Sequence, residues 1–235
     1  MAHGTIGMIG GVGPGATAAL YQSVVRRFAA RHGGDQPALL IYSVPMTAGI
    51  EAAILNGATA GPQVDRLVTM LEDGVRRLAR AGSGAIVMPC NTLQAYLPEI
   101  VARAGLPYIP LIGETVRHIQ LQGYQRVALI CTSAMRSLGL YQAELDRHAV
   151  PYLLPTEPEQ AGITQTILDS LHAKPDPNAR LRPVLRRLET VADSILLGCS
   201  DLTGFAEPGF TRLPVVDAME VLAEATVTFI LAGEA

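Results

Sequence analysis

Gly84–Thr92 reads GAIVMPCNT, and Asp193–Asp201 reads DSILLGCSD. Each is a short apolar run of strand length that breaks into a cysteine followed by small polar residues. Laid over one another they match Cys90 to Cys199, and the match continues outward on both sides. TIGMIGGVGPGATAALYQSVVRR, from Thr5, aligns with RVALICTSAMRSLGLYQAELDRH, from Arg126, with a shared Tyr-Gln at Tyr21-Gln22 and Tyr141-Gln142. LPYIPLIGETVRHI, from Leu106, aligns with LPVVDAMEVLAEAT, from Leu213. Three matches in the same order predict one architecture built twice, its halves related by a pseudo-two-fold axis.

The remaining pattern agrees. Strand candidates are Thr5–Ile9, Ala38–Ser43, Ala85–Met88, Tyr108–Pro110, Arg126–Ile130, Tyr152–Leu154, Ser194–Leu197 and Val215–Val216. Helix-period segments lie between them: Ala16–Arg31, Gln63–Ala81, Glu114–Leu121, Leu138–Arg147, Ile163–Leu171 and Leu181–Thr190. Alternation of this kind predicts an α/β fold with parallel sheets.

Composition narrows the function classes. With 49% hydrophobic and 17% charged residues the 235-residue chain is of globular type. A net charge of −3 without a basic block argues against nucleic acid or a membrane surface as partner. The opening MAHGTIGMIGG lacks the basic stretch and apolar core of a signal peptide, and no apolar run is long enough to span a bilayer. Three cysteines are too few and too unevenly numbered for a disulfide framework, so thiols in a cytoplasmic protein are expected.

In parallel sheets, ligands bind beyond the carboxyl ends of the strands. Cys90 and Cys199 leave equivalent strands there, each before an expected helix start whose unpaired N–H groups suit a thiolate or a carboxylate. Facing one another across the axis, two thiols could remove a proton from one face of a carbon and return one to the other. Isolated cysteines are more often small buried hydrophobes, and Cys131, which overlays Gly10, has no counterpart and reads as packing. Other routes to a carbanion lack residues. The only lysine, Lys174, lies in the polar, proline-rich HAKPDPN, a poor setting for a pyridoxal Schiff base. The five histidines are scattered without metal-ligand spacing. No cofactor and no metal are expected.

At these residues the chain resembles the aspartate/glutamate racemase family, and within it the aspartate racemase branch. Ile6–Thr17 resembles the family's N-terminal glycine turn, Met88–Thr92 its first cysteine motif, and Leu197–Leu202 a variant of its second, usually Gly-Cys-Thr-Glu. Pro155–Gln160 and Leu213–Glu224 match in type and order. The resemblance implies two pseudosymmetric α/β domains, residues 1–112 with 218–235 and residues 113–217, with the active site in the cleft. It further implies a cofactor-independent racemase, commonly a homodimer, acting on a small amino-acid substrate. Cys90 and Cys199 would be the acid–base pair, the first serving the D-enantiomer and the second the L-enantiomer. Asn91, Thr92 and Thr132 would hold the α-carboxylate and amine, with Ser200 in the place of the family's threonine. Gly10 and Gly11 would bring backbone to the ligand, Ser43 would add a polar contact, and Asp201 would accept a hydrogen bond from the ammonium or cap a helix.

The departures fall at the substrate's far end. Aspartate racemases similar to this chain carry a Pro-Asp-Arg segment whose arginine grips the distal carboxylate. Here the corresponding stretch, SVPMTAGIEAAILNG, has neither arginine nor lysine, and Glu51 is its only charge. The family's second cation corresponds to His172 or Lys174. Aspartate or glutamate is the expected substrate, but a racemase of a non-acidic amino acid stays open. So do a maleate-isomerase-like enzyme, in which one cysteine adds covalently, and a non-catalytic amino-acid binder.

Overall fold

A computed structural model describes residues 4–171, 179–200, 202 and 210–233. Strands β1 (Ile6–Gly10), β2 (Leu39–Ser43) and β3 (Ala85–Val87) form a parallel sheet in the order β2-β1-β3. Tyr108 adds one parallel bridge to Ile86, where a fourth strand would begin. Strands β4 (Val127–Ile130), β5 (Tyr152–Leu153), β6 (Ser194–Leu197) and β7 (Val215–Asp217) form a second parallel sheet, β5-β4-β6-β7. The order is the same in both sheets: the first strand is central, the second lies to one side, and the third and fourth to the other. Each aligned pair of segments therefore occupies corresponding places.

Strands β1, β3, β4 and β6 are buried runs because both of their faces are covered, as inner parallel strands require, whereas β2 and β5 at the sheet edges are only partly buried. Alternate residues serve different cores. Ile6 and Met8 of β1 face a central core together with Val127 and Leu129 of β4. Ile9 and Ile86 face a second core. It is closed by Leu67, Leu71 and Val75 of α3 (Pro62–Arg80) and by Leu97 and Ile100 of α4 (Leu97–Arg103). Ala128, Ile130 and Ile195 face a third, under α8 (Glu157–Leu171) and α9 (Leu181–Leu188). In α3 the buried residues recur at the three- and four-residue spacing of one helix face.

The central core joins the two sheets through α1 (Pro14–Arg31), α5 (Leu111–Gln122) and α10 (Ala218–Ala232). The last helix of each half packs on the other half. α5, which follows the first sheet, lies against α7 (Leu140–Arg147), and α10, which follows the second, lies along α1; α5 and α10 also pack together. The seam between α1 and α10 carries a charged network. Arg27 pairs with Glu220 at 2.5 Å and Glu224 at 3.0 Å, Arg31 pairs with Glu224 at 2.5 Å, and Ser23 Oγ donates to Glu220.

Two local features differ from expectation. The helix expected over Leu138–Arg147 is α7, which starts at Leu140, and a separate short helix, α6 (Ser133–Leu138), precedes it; Gly139 between them takes a left-handed φ of 67° that turns the chain. A helix not anticipated, α2 (Ala48–Leu55), starts at Thr47, whose Oγ1 accepts from Ile50 N at 3.4 Å.

Candidate active site

The carboxyl ends of β1, β3, β4 and β6 converge on one cavity of about 80 Å³, far below the roughly 300–1,000 Å³ that drug-sized ligands occupy. Cys90, just past β3, and Cys199, just past β6, both line it, and both are half-buried and free of disulfides. The spacing of each thiol from its strand follows from the tight turn that leaves the sheet. On the second side, a Cβ on Gly198 would lie 2.9 Å from the Tyr141 ring and 3.0 Å from Leu129, so only glycine lets the turn approach so closely.

Polar groups surround the thiols. Asn91, Thr92, Thr132 and Ser200 line the same cavity. Thr132 is the N-cap of α6, its Oγ1 accepting from Met135 N at 3.1 Å; its own hydroxyl hydrogen is left to donate. Asn91 is buried at 4% exposure. Its Oδ1 accepts the Tyr141 hydroxyl at 2.7 Å, while its Nδ2 has no partner. A buried amide donor left open beside a cavity is a place for a ligand acceptor.

The Cys90 turn is braced by side chains, and so is the end of β4. Gln94 Nε2 donates to Cys90 O at 3.0 Å and Met88 O at 3.3 Å, and its Oε1 accepts from the buried Tyr108 hydroxyl. In the other half, Gln160 Nε2 donates to Cys131 O at 2.8 Å. Tyr141 is fully buried, and burial pushes its pKa up, as it does for Tyr108, so both phenols stay donors. None of Gln94, Tyr108 or Gln160 was singled out from sequence, and Tyr141 only as half of a Tyr-Gln repeat. That repeat is not functional symmetry: Tyr21 is 43% exposed, while the break at Gly139 turns Tyr141 inward.

Other expected residues lie elsewhere. A Cβ on Gly10 would meet Thr17 Cγ2 at 2.4 Å, and one on Gly11 would meet Val44 O at 2.6 Å. Their missing side chains thus make room for the packing of the turn, and it is the next residues, Val12 and Gly13, that line the cavity. Ser43 is exposed at the end of β2 and off the cavity lining. Cys131 is 1% exposed, and burial pushes its thiol up to about 12, in keeping with a packing role. The helix expected after Cys90 begins as a four-residue 3₁₀ turn, Thr92–Ala95, which is short for a macrodipole and offers local N–H groups instead. Asp201, His172 and Lys174 lie outside the described residues.

The rest of the lining is mostly apolar. Met46, Ile54 and Leu55 contribute to it together with Glu51 of α2 and Ile167 of α8. Of these, Glu51 was noted from sequence as the only charge of the divergent stretch SVPMTAGIEAAILNG; the others were not singled out. Among the described residues no cation lines the cavity. Nor is any group of three or more His, Cys, Asp or Glu arranged to hold a metal, and no helix among them is long and apolar enough to cross a membrane.

The chain is 25% identical over 237 residues to the broad specificity amino-acid racemase RacX of Bacillus subtilis, covering 97% of this chain and 98% of that protein. Among solved structures, a candidate Asp/Glu racemase from Yersinia pestis superposes with a TM-score of 0.85 at 23% identity, covering 97% of this chain and 99% of that one. The Picrophilus torridus aspartate racemase does so with a TM-score of 0.81 at 22% identity, over 97% and 94%. These two share the fold. The Asp/Glu/hydantoin racemase sequence pattern matches residues 9–226, from within β1 to within α10, both cysteine turns included, and on that match the chain belongs to the Asp/Glu/hydantoin racemase family.

Proposed function

We propose that this protein interconverts L- and D-amino acids by proton transfer through Cys90 and Cys199, without pyridoxal phosphate or a metal. One observation carries the reading: two half-buried thiols from corresponding strand ends line the same small cavity.

The chemistry is symmetric. Starting from the L-enantiomer, the Cys199 thiolate takes the α-proton, and the electron pair left on the carbon spreads into the carboxylate. The Cys90 thiol then delivers its proton to the opposite face. The product is the D-enantiomer, with Cys199 as thiol and Cys90 as thiolate, and proton exchange with water restores the starting pair. An amino-acid α-proton is a weak acid, so the developing charge needs donors already in position. Asn91 Nδ2, the Thr132 hydroxyl, Thr92 and Ser200 are the available ones. Gly10, Gly11 and Ser43 support the turns beside the cavity in this scheme, and Asp201 keeps its two roles from the sequence, accepting from the ammonium or a neighbouring donor or capping a helix. The homodimer and the cytoplasmic setting belong to the same proposal. So does the division into residues 1–112 with 218–235 and residues 113–217, which the packing of α10 on α1 and of α5 on α7 supports.

The test is isotopic. In D₂O the wild type should place deuterium on the α-carbon of the product enantiomer. Cys90→Ser and Cys199→Ser should each abolish racemisation, and residual α-hydrogen exchange should favour opposite enantiomers in the two variants. Substantial racemisation by either single variant, or symmetric exchange by both, would end the two-thiol reading.

A further inference from the structure

The cavity lining is of two chemical kinds, and the part contributed by α2 has no assigned ligand chemistry. Ile50 is fully buried in the core beneath α2. Glu51, Ile54 and Leu55, at positions i, i+3 and i+4, share the helix face that borders the cavity. Ile167 of α8, Met46 and Val12 add further apolar lining. The loop after α2 reaches the second half, since a Cβ on Gly57 would lie 3.7 Å from Ala134, another lining residue. The helix therefore sits across the cleft, where it can read a substrate side chain.

Glu51 is the only charged side chain lining the cavity among the described residues, and it has neither an ion pair nor a side-chain hydrogen bond there. It is exposed at the rim, beyond the apolar wall. We infer that this part of the lining recognises an amino acid with an aliphatic stem and a cationic head, of the lysine, ornithine or arginine type. The inference rests on the two-thiol reading of the same cavity. Long cationic side chains bury their methylenes and keep their charge in water; here Ile54, Leu55 and Ile167 would take the stem and Glu51 the head. An acidic side chain would bring a second carboxylate toward Glu51 with no described cation to offset the repulsion. A neutral aliphatic side chain would fit the wall and leave Glu51 hydrated, so it is accepted but not selected. Glu51 also lies in the first turn of α2, where a carboxylate suits the helix dipole, and the experiment separates that role from recognition.

The full-length protein is assayed by chiral chromatography with L-lysine, L-norleucine, which has the same carbon skeleton without the ammonium, and L-glutamate. In the wild type, kcat/KM for lysine should exceed that for norleucine by about five- to tenfold, as for a partly exposed charge-assisted contact, and that for glutamate by more. Glu51→Gln should bring the lysine-to-norleucine ratio close to one, chiefly through KM for lysine. Glu51→Arg should shift preference toward glutamate. A helix-dipole role alone would lower all three substrates together and leave the ratios where they were, which would overturn the inference. Glutamate matching lysine in the wild type would overturn it as well. Racemisation of norleucine or glutamate but not lysine would refute the cationic preference and leave the thiol chemistry intact. If none of the three exchanged its α-hydrogen in D₂O, both readings would fall.

Discussion

Tyr141→Phe removes a single oxygen from the interior and makes the sharpest test of how the site is held. The hydroxyl is fully buried and bonds Asn91 Oδ1 at 2.7 Å, reaching from α7 to the residue after Cys90. Asn91 Nδ2 has no protein partner, so the Tyr141 bond is the side-chain bond that orients the amide. Two costs follow. A typical internal hydrogen bond contributes about 0.5–1.5 kcal/mol net, but a buried acceptor left unpaired costs about 1–3 kcal/mol, and the second figure applies because Asn91 remains. For a chain of this size each kcal/mol moves the melting temperature by about 2–4 °C, so a fall of roughly 2–12 °C is expected. The amide also becomes free to rotate and present Oδ1 instead of Nδ2 to the substrate carboxylate. The loss of a positioned donor should lower kcat/KM by about tenfold or more, with kcat affected because the carboxylate's charge grows in the transition state. Thermal denaturation and a chiral activity assay measure the two effects. In the double variant Tyr141→Phe, Asn91→Leu, much of the stability should return, since removing both partners leaves no stranded acceptor, while activity stays low. An unchanged melting temperature together with unchanged kcat/KM in Tyr141→Phe would refute the argument.

Two further outcomes follow. Iodoacetamide near pH 8 should inactivate the protein by labelling Cys90 or Cys199, with substrate protecting; Cys131, held up to about 12 by burial, should remain unlabelled in peptide maps of the folded protein. Glu159, which accepts from the Arg187 guanidinium and from Thr156 N and Oγ1, is held down to about 2. A carboxyl whose folded pKa is depressed contributes stability above its unfolded value, near 4.5, and loses it as pH falls toward about 2. Denaturation followed across that window should therefore fall more steeply for the wild type than for Glu159→Gln, and parallel curves would contradict the assignment.

Much of the fold was legible because it is written in short-range pattern. Runs such as VALI and SILL, short, apolar and bounded by turn residues, suit strands covered on both faces, and the observed β4 and β6 match the expected limits to within a residue. Duplication was legible because the two cysteine turns break their strands in the same register. The failures are of other kinds. α2 has little amphipathic signal in AGIEAAIL, and its identity depends on the Thr47 cap and on the buried Ile50. Gly139 looked like a residue inside a helix; its left-handed φ is decided by the turn between α6 and α7. Gly10 and Gly11 have the look of a ligand loop, yet tertiary packing against Thr17 and Val44 accounts for the missing side chains. The bonds from Gln94 to the Cys90 turn and from Tyr141 to Asn91 join residues whose proximity no local spacing encodes.

The exchange of final helices bears on how the molecule could be cut or opened. A chain severed near Gly123, just after α5, would yield a first fragment whose α1 lacks α10, exposing Leu20, Val24 and Phe28, and a second whose α7 lacks α5. Each piece would carry a bare apolar flank shaped for the other, so co-expressed fragments should reassociate where either alone aggregates. The same interlock means that the cysteine turns are mounted on one continuous body and not on two joined by a strap.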